Sequence, residues 1–271
     1  MNVRWSRSID WPSKRIAVFY LANLTLKIYF KLNNLRLCDT VVKNTRDARD
    51  YLDSQYPKAD RVTFYYYMGR MYLYQRRMRK AMLQFRKAFE LCTSRHYKNR
   101  RLILIYLVTA SLPLGVFPAA ELLAAFDLQN QYGQVIEAVK AGNYRQCRYL
   151  LDQWQDWHLA KGTYLILREK LEVICWRNLA RKTLFIAHSG QPQSGTGPPT
   201  LPFKTFLATA KFAFNDSTLE LDDIEAMCAS LLDQGYVKAY IHHAMQLLVL
   251  QKGNLLGFPR VNSVRMIGDE A

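Results

Sequence analysis

The sequence predicts a mainly α-helical fold, in which helical hairpins stacked like tetratricopeptide repeats in a short superhelix run into a C-terminal winged-helix module with a small β-ribbon. Before about residue 187, apolar residues recur almost everywhere at three- and four-residue spacing, the period of amphipathic helices. Alternating runs, the period of a strand, occur only near the C-terminus, at 236–243 and 246–252. We therefore expect helical repeats over 1–164, the winged-helix part over 165–261 and a tail over 262–271.

The repeats are indicated by one pattern that occurs three times, at 31–42, 74–85 and 140–151. In each stretch a polar or glycine-containing turn is followed by a large residue, then a small one, then another large one at helical spacing. These positions are Leu35, Cys38 and Val42; Met78, Ala81 and Phe85; and Tyr144, Cys147 and Leu151. The small side chain lets the two helices of a hairpin approach closely where they cross. Because the turns are unevenly spaced, we expect degenerate repeats and not a consensus array.

An uncharged stretch at 102–120 is long enough to cross a membrane and follows several basic residues. Pro113, Gly115 and Pro118 interrupt it, and a proline ends a helix where it stands. The sequence therefore favours a buried helix, a tight turn and a second helix over a membrane span. The polar start of the chain, which lacks an apolar core and a small-residue cleavage site, predicts no signal peptide.

The winged-helix module is predicted from the order of the elements after residue 164. A long amphipathic helix over 165–187 precedes a loop at 188–202, whose Gly, Pro, Ser and Gln content predicts a flexible surface segment. Two helices follow, over 202–214 and 217–235. A hairpin turn at 244–245 then joins the two alternating runs into a two-stranded ribbon.

The second of those two helices carries four acidic residues near its start: Glu220, Asp222, Asp223 and Glu225. Acidic side chains suit the positive N-terminal end of a helix dipole, and they would repel phosphate. We therefore do not expect this helix to read a DNA groove, as the third helix of a winged-helix protein normally does. Ser217 or Thr218 is the expected N-cap, and Gly235 the expected C-terminal stop.

The composition predicts a folded, non-catalytic protein of a reducing, intracellular compartment. The chain has 271 residues, of which 50% are hydrophobic and 22% charged, as is typical of globular proteins. Its five cysteines are an odd number and include no C-x-x-C pair, so neither a disulfide framework nor a zinc cluster is expected. No nucleophile, phosphate-loop or metalloprotease motif is present. His242 and His243 would point to opposite faces of a strand, which does not suit joint binding of a metal ion. From these absences we expect no metal, no cofactor and no catalytic residue.

The net charge of +16 has an uneven distribution along the chain. Residues 1–101 contain 23 basic and 7 acidic side chains, whereas residues 102–271 contain 15 of each. The surplus is densest at 58–101, where 13 basic residues face two acidic ones. Such a surplus indicates a surface that meets nucleic acid or an acidic protein, with a solvated helix face as the alternative.

Two basic surfaces are predicted to contact phosphate without reading sequence. The first, the helical face, consists of Arg76, Arg77, Arg79, Lys80, Arg86, Lys87, Arg95, Lys98, Arg100 and Arg101. The second, the winged-helix rim, consists of Arg177, Arg181, Lys182, Lys204, Lys211, Lys238, Lys252 and Arg260. The segment 76–80 also fits a nuclear-localisation pattern. The aromatic run 64–67 could stack bases, but at helical spacing we expect it to pack in the core.

A protein interface is predicted on the ribbon, at Tyr236, Lys238 and Tyr240. Residues alternate along this ribbon, so one of its faces must be covered.

Several strings resemble the PCI domain, and within it the branch that serves nuclear mRNA export. They are FYLANLTLKIYFKLNNLRLCDTV (19–41), YPKADRVTFYYYMGRMYLY (56–74), KNRRLILIYLV (98–108), LEVICWRNLARK (171–182) and LLDQGYVKAYIHHAMQLLVLQKGNLLGFPRV (231–261). The resemblance covers about residues 15 to 261. It implies a non-catalytic scaffold subunit of a transcription-coupled mRNA-export complex in the nucleus, at the nuclear pore. The implied partners are a larger GANP-type PCI scaffold protein, a small acidic Dss/Sem protein, and RNA or DNA. The alternative is a pure assembly subunit of a signalosome- or proteasome-lid-like complex.

Overall fold

The computed structural model describes residues 12–45, 56–188, 197–253 and 256–264. The chain divides into two compact units, Met1–Leu107 and Val108–Ala271. Both are mainly helical, and the second also contains a small antiparallel sheet. The predicted fold class is therefore confirmed.

The first unit is built from paired helices. Its elements are α1 (Pro12–Lys31), α2 (Cys38–Asn44), α3 (Lys58–Tyr74), α4 (Met78–Leu91) and the start of α5 (Tyr97–Ser111). Helices α3 and α4 form a hairpin around a turn in which Arg76 has φ 63°. They approach so closely that a Cβ atom added at Gly69 would lie 2.6 Å from the Phe85 ring. Ala81, the small residue of the pattern at 74–85, is fully buried on α4.

Aromatic rings fill the core of the first unit. Phe19 stacks on Tyr56 and on Phe64, with ring centroids 4.1 and 4.5 Å apart. The Arg70 guanidinium lies 4.7 Å from the centroid of the Phe30 ring. Phe64 and Tyr65 are buried, and Tyr66 and Tyr67 are half-buried. The run 64–67 therefore packs in the core, as expected.

The second unit begins with the interrupted apolar stretch. Helix α5 ends at Ser111, a 3-10 turn spans Leu112–Leu114, and the next helix begins at Ala120, so the predicted helix, turn and second helix are confirmed. Within the part of the chain that the structure describes, no helix is long and apolar enough to cross a membrane. The helices of this part are α6 (Ala120–Ala125), α7 (Gln129–Ala141), α8 (Tyr144–Gln153), α9 (Gln155–Lys161) and α10 (Tyr164–His188).

The small residue of each repeated pattern is buried. Cys38, Ala81 and Cys147 are each almost fully buried. All five cysteines are buried and free. In the third pattern the α7–α8 hairpin packs on α10, and the Asn178 side-chain amide on α10 donates a 2.8 Å hydrogen bond to the Val139 carbonyl oxygen on α7.

Among its described residues the winged-helix module contains three strands: the predicted two-stranded ribbon is β2 and β3, and the prediction missed a third strand. Its elements are β1 (Thr200–Pro202), α11 (Phe203–Phe214), α12 (Leu221–Asp233), β2 (Ala239–His242) and β3 (Leu247–Leu250), with the strand order β1–β3–β2. Strand β1 pairs Leu201 with Leu248 and lies at the end of the predicted 188–202 loop. Strand β1 is too short to show an alternating pattern in the sequence. In the structure it pairs with β3 at one edge of the sheet, and its Leu201 side chain is buried. The rest of that loop, 189–196, lies outside the described residues.

One local prediction in this module, the N-cap of its second helix, was wrong, and another, the hairpin turn, is confirmed. Helix α12 is capped by Glu220 and Asp223, whose side chains form a capping box, and not by Ser217 or Thr218. Thr218 is held in the preceding turn, because its backbone N–H and its hydroxyl both bond to the Asp216 carboxylate. The predicted turn at 244–245 is a 3-10 turn over His243–Met245.

A C-terminal strap, residues 256–264, crosses the second unit after the winged helix. The Lys238 backbone N–H, just before β2, donates a 2.7 Å hydrogen bond to the Gly257 carbonyl. Phe258 and Val264 are buried, and Val261 packs against Gly115 at the α5–α6 turn. The strap therefore ties the hairpin to the helical part of its unit. The predicted tail at 262–271 begins inside the strap, and its residues 265–271 lie outside the described residues.

Candidate nucleic-acid interface

The predicted helical face follows α4 from one end to the other. Arg76 and Arg77 form the turn before this helix, Arg86 and Lys87 lie at its middle, and the remaining members lie in its first turn or beyond its C-terminal end. A helix of this length is about 20 Å long. The buried side of α4 consists of Met78, Ala81, Met82, Phe85 and Ala88. The four basic residues on α4 itself, Arg79, Lys80, Arg86 and Lys87, lie outside that buried side, and the others precede or follow the helix.

The members of the helical face differ in exposure. Arg86, Lys87, Arg95 and Lys98 are exposed, whereas Arg76, Arg77, Arg79, Lys80, Arg100 and Arg101 are half-buried. Two of these cations lie over rings: Lys87 Nζ is 5.5 Å from the centroid of Tyr65, and Arg100 Cζ is 4.6 Å from that of Phe89. The rings hold the stems of these side chains against the unit. The exposed part of the face is thus its middle and its C-terminal end.

Arg177 does not belong to the winged-helix rim, contrary to the prediction. Its side chain is only 6% exposed, and its Nη2 donates a 2.6 Å hydrogen bond to the Pro259 carbonyl oxygen in the strap. Burial, reinforced by the nearby charge of Arg181, lowers the pKa of the Arg177 guanidinium to about 10. Arg177 is a structural cation that clamps the strap to α10.

Other residues of the winged-helix rim lie near Arg177 in sequence or are connected to the strap that it binds. Arg181 lies one turn beyond Arg177 on α10, and Arg260 directly follows the clamped Pro259; both are exposed. Lys238 is fixed to the same strap through the Gly257 carbonyl. Gln251 N–H donates to the Lys238 carbonyl, so Gln251 lies opposite Lys238 and the exposed Lys252 follows one residue later. The strap therefore contacts both α10 and the open end of the β2–β3 hairpin, and it carries the exposed Arg260.

The acidic residues of the winged helix lie at the other end of that hairpin. A Glu225 carboxylate oxygen on α12 is 2.9 Å from Nδ1 of His243, in the turn between β2 and β3. Asp222 and Asp223 occupy the first turn of the same helix. The module is thus polarised, with acidic groups at the hairpin turn and basic groups at its open end.

The three residues of the predicted protein interface differ in their exposure. Tyr236 is only 3% exposed, because it lies in the packed turn between α12 and β2, so assigning it to a free interface was wrong. Burial raises its pKa to about 12. Lys238 is exposed, and Tyr240 keeps 61% of its surface accessible.

The remaining rim residues lie on helices: Lys182 and Lys204 are exposed on α10 and α11, and Lys211 is half-buried on α11. One basic group was missed by sequence reasoning. Arg145 and Arg148 are exposed on α8, next to Tyr149, which is 57% exposed. The pattern at 140–151 contained the signal, because helical spacing places these three residues opposite the buried Cys147, Leu150 and Leu151.

No metal site is found within the described ranges, where no group of three His, Cys, Asp or Glu side chains converges. His242 and His243 are both exposed. The His242 Nδ1 accepts a 3.3 Å hydrogen bond from the Met245 N–H. With His243 bound to Glu225, the two rings have separate structural partners.

Comparison with known proteins shows extensive sequence similarity. No family model matches the chain. It is 36% identical over 258 residues to a PCI domain-containing protein of Schizosaccharomyces pombe, a match that covers 94% of this chain and 57% of that protein. It is 34% identical over 259 residues to PCI domain-containing protein 2 of Xenopus laevis, covering 96% of this chain and 61% of that one. A Dictyostelium discoideum homolog of PCI domain-containing protein 2 is 33% identical over 237 residues, 88% of this chain and 52% of the homolog. The chain thus spans between half and two thirds of the length of these relatives.

Proposed function

We propose that this chain, a homologue of PCI domain-containing proteins over nearly its whole length, is a non-catalytic scaffold subunit of a transcription-coupled nuclear mRNA-export complex. In this proposal it assembles with a larger GANP-type PCI scaffold protein and a small acidic Dss/Sem protein. It contributes a sequence-independent basic surface to RNA or DNA, and it works in the nucleus at the nuclear pore. The export role rests on the resemblance of the sequence strings, and the nucleic-acid role rests on charge.

The observation that carries the nucleic-acid role is the polarity of the winged helix. Exposed Lys238 lies at the open end of the hairpin and is bound to the strap that carries exposed Arg260, while Glu225 and its acidic neighbours lie at the turn end. A polyanion is attracted to one end and repelled from the other, so it has a defined place on the module. Phosphate contacts of this kind position a strand without reading its bases.

The test is a salt titration of binding to fluorescent single-stranded RNA and duplex DNA. We expect Lys238→Glu/Lys252→Glu to weaken binding and to reduce the slope of log affinity against log salt by roughly 0.7 for each lysine on a single strand. Arg76→Glu/Arg77→Glu/Arg79→Glu tests the helical face in the same way. Lys27→Glu/Lys31→Glu is the matched control, because both lysines are exposed on α1 and belong to neither surface. Equal binding by all variants would contradict the nucleic-acid role.

A pure assembly subunit is the second candidate, and one observation favours it. Helix α1 exposes Leu21, Leu24 and Ile28 along one stripe, as a surface awaiting a protein partner would. The same titration, repeated with the acidic partner bound, separates the two functions. Binding that survives the partner supports the export role, whereas binding that the partner abolishes assigns the basic surfaces to protein assembly.

A further inference from the structure

The outer face of the three-stranded sheet carries a row of exposed polar and aromatic side chains. On β2, Ala239 and Ile241 are half-buried, while Tyr240 and His242 are exposed, and Lys238 continues the exposed alternation. Alternate residues of a strand lie on one face, about 6.6 Å apart at ~3.3 Å per residue. Lys238, Tyr240 and His242 therefore follow one another along the solvent side of β2.

Tyr240 stands on a supported platform. Its cross-strand partner on β3 is Val249, which in turn faces Thr200 on β1. Val249 is 6% exposed, whereas Tyr240 is 61% exposed. The opposite face, with Leu201, Leu248 and Leu250, is buried in the module. The tyrosine thus presents accessible ring surface from a sheet whose other side is fixed in the core.

The charged residue that adjoins Tyr240 on this face of β2 is a cation. Lys238 precedes Tyr240 on the same face, and the strap that binds the Lys238 backbone carries the exposed Arg260. The acidic Glu225 lies at the far end of the hairpin, bound to His243. An exposed aromatic ring beside a cation is an arrangement by which proteins hold single strands, with a base stacked on the ring and a phosphate beside the cation.

We propose that this sheet face binds single-stranded nucleic acid, with a base stacked on Tyr240 and the adjoining phosphate at Lys238. The inference rests on the proposed nucleic-acid role and specifies its ligand. A duplex cannot use the ring in this way, because its bases are stacked on one another. The assignment also moves Tyr240 from the expected protein interface to a nucleic-acid contact.

The experiment compares three fluorescent probes of equal length: single-stranded oligouridylate, an abasic strand and a duplex. Stacking on an aromatic side chain contributes roughly 5- to 150-fold in affinity, so we expect Tyr240→Ala to weaken oligouridylate binding within that range. Binding of the abasic strand should not change, and Tyr240→Phe should keep the wild-type affinity because the ring remains. Tyr20→Ala is the matched control, since Tyr20 is 53% exposed on α1, outside the basic surfaces. Thermal unfolding shows whether each variant is folded.

Each possible result of these binding measurements either supports or contradicts the assignment of Tyr240 as a stacking residue. If Tyr240→Ala binds oligouridylate as the wild type does while Lys238→Glu/Lys252→Glu does not, the stacking assignment fails and the proposed function stands. Equal losses for the oligouridylate and the abasic strand also overturn it. If Tyr240→Ala weakens only the association with a partner protein, the face is a protein interface. If the wild-type chain binds none of the probes, the proposed function fails and the inference fails with it.

Discussion

His158 is a neutral imidazole enclosed in the second unit. Its side chain is fully buried, and the rings of Tyr132 and Trp157 meet it edge-on with centroids 5.5 and 4.9 Å away. The Thr163 hydroxyl donates to the His158 carbonyl and therefore accepts from Nδ1–H, 3.0 Å away. This leaves Nε2 as the acceptor nitrogen, and no hydrogen-bond partner for it lies among the described residues. A proton on Nε2 would place an uncompensated charge in the core.

Acid should therefore destabilise the protein through this ring. Burial lowers the pKa of His158 from 6.5 to about 4. Between pH 6.5 and 4, His158 is protonated in the unfolded chain and neutral in the folded one. The free energy of unfolding therefore falls as the pH falls through this range, by up to roughly 3 kcal/mol. Above pH 6.5 the contribution is fully present. We expect His158→Phe to flatten the pH dependence of urea unfolding in this window, because the ring remains and the titrating nitrogen is removed. Parallel curves for wild type and variant would show that His158 is not responsible.

Two glycines of the second unit, Gly142 and Gly162, each end a helix and can be compared directly. Gly142 ends α7 with φ 76°, and Gly162 ends α9 with φ 69°. A Cβ atom at Gly142 would lie 2.6 Å from the Leu179 backbone nitrogen on α10, whereas one at Gly162 would meet nothing within 4 Å. Both positions need the left-handed region that glycine adopts readily. Only Gly142 is also needed for the hairpin to pack on α10.

We expect Gly162→Ala to lower the free energy of unfolding by about 1–2 kcal/mol, the conformational cost of a left-handed alanine. Gly142→Ala should lower it by a further ~1–3 kcal/mol, because its methyl group collides with backbone that cannot rotate away. Urea unfolding of the two variants beside the wild type measures the difference. Equal losses would mean that the α7–α8 hairpin can move away from α10 without cost.

Sequence reasoning succeeded for elements whose signal is local. Three- and four-residue spacing predicted the helices, and the small residues Cys38, Ala81 and Cys147, which the repeated pattern placed between helices, are buried. It failed where the outcome depends on distant parts of the chain. Strand β1 exists because it completes the edge of β3, and the strap depends on a hydrogen bond between Arg177 and Pro259, 82 positions apart.

The same distinction applies to the candidate surfaces. Helical periodicity correctly separated Arg86 and Lys87 from the buried side of α4. It could not show that Arg177 is covered by the strap, because a basic residue on an amphipathic helix looks the same whether a distant segment crosses it or not. Helical periodicity also could not show that the strap carrying Arg260 contacts Lys238, because that contact is a backbone hydrogen bond from Lys238 to Gly257.

At the scale of the whole molecule, an apolar surface coexists with a large net charge. On α1, Phe19, Ala22 and Leu26 are buried, while Leu21, Leu24 and Ile28 are 42–54% exposed. The helix is thus apolar on two sides, as is normal only for helices covered on both. The exposed stripe should favour association between copies, and the net charge of +16 should oppose it. Because salt screens the repulsion and leaves the apolar attraction, the balance should depend on ionic strength.

We therefore expect the chain to be monomeric at low salt and to self-associate at high salt, as measured by sedimentation velocity. Leu24→Gln/Ile28→Gln should abolish the association and change the free energy of unfolding by less than about 0.5 kcal/mol for each exposed position. Leu26→Gln is the matched control on the buried side of the same helix, where it should cost roughly 2–5 kcal/mol. Self-association that is strongest at low salt, or that the double variant retains, would show that a charged surface and not the α1 stripe brings the copies together.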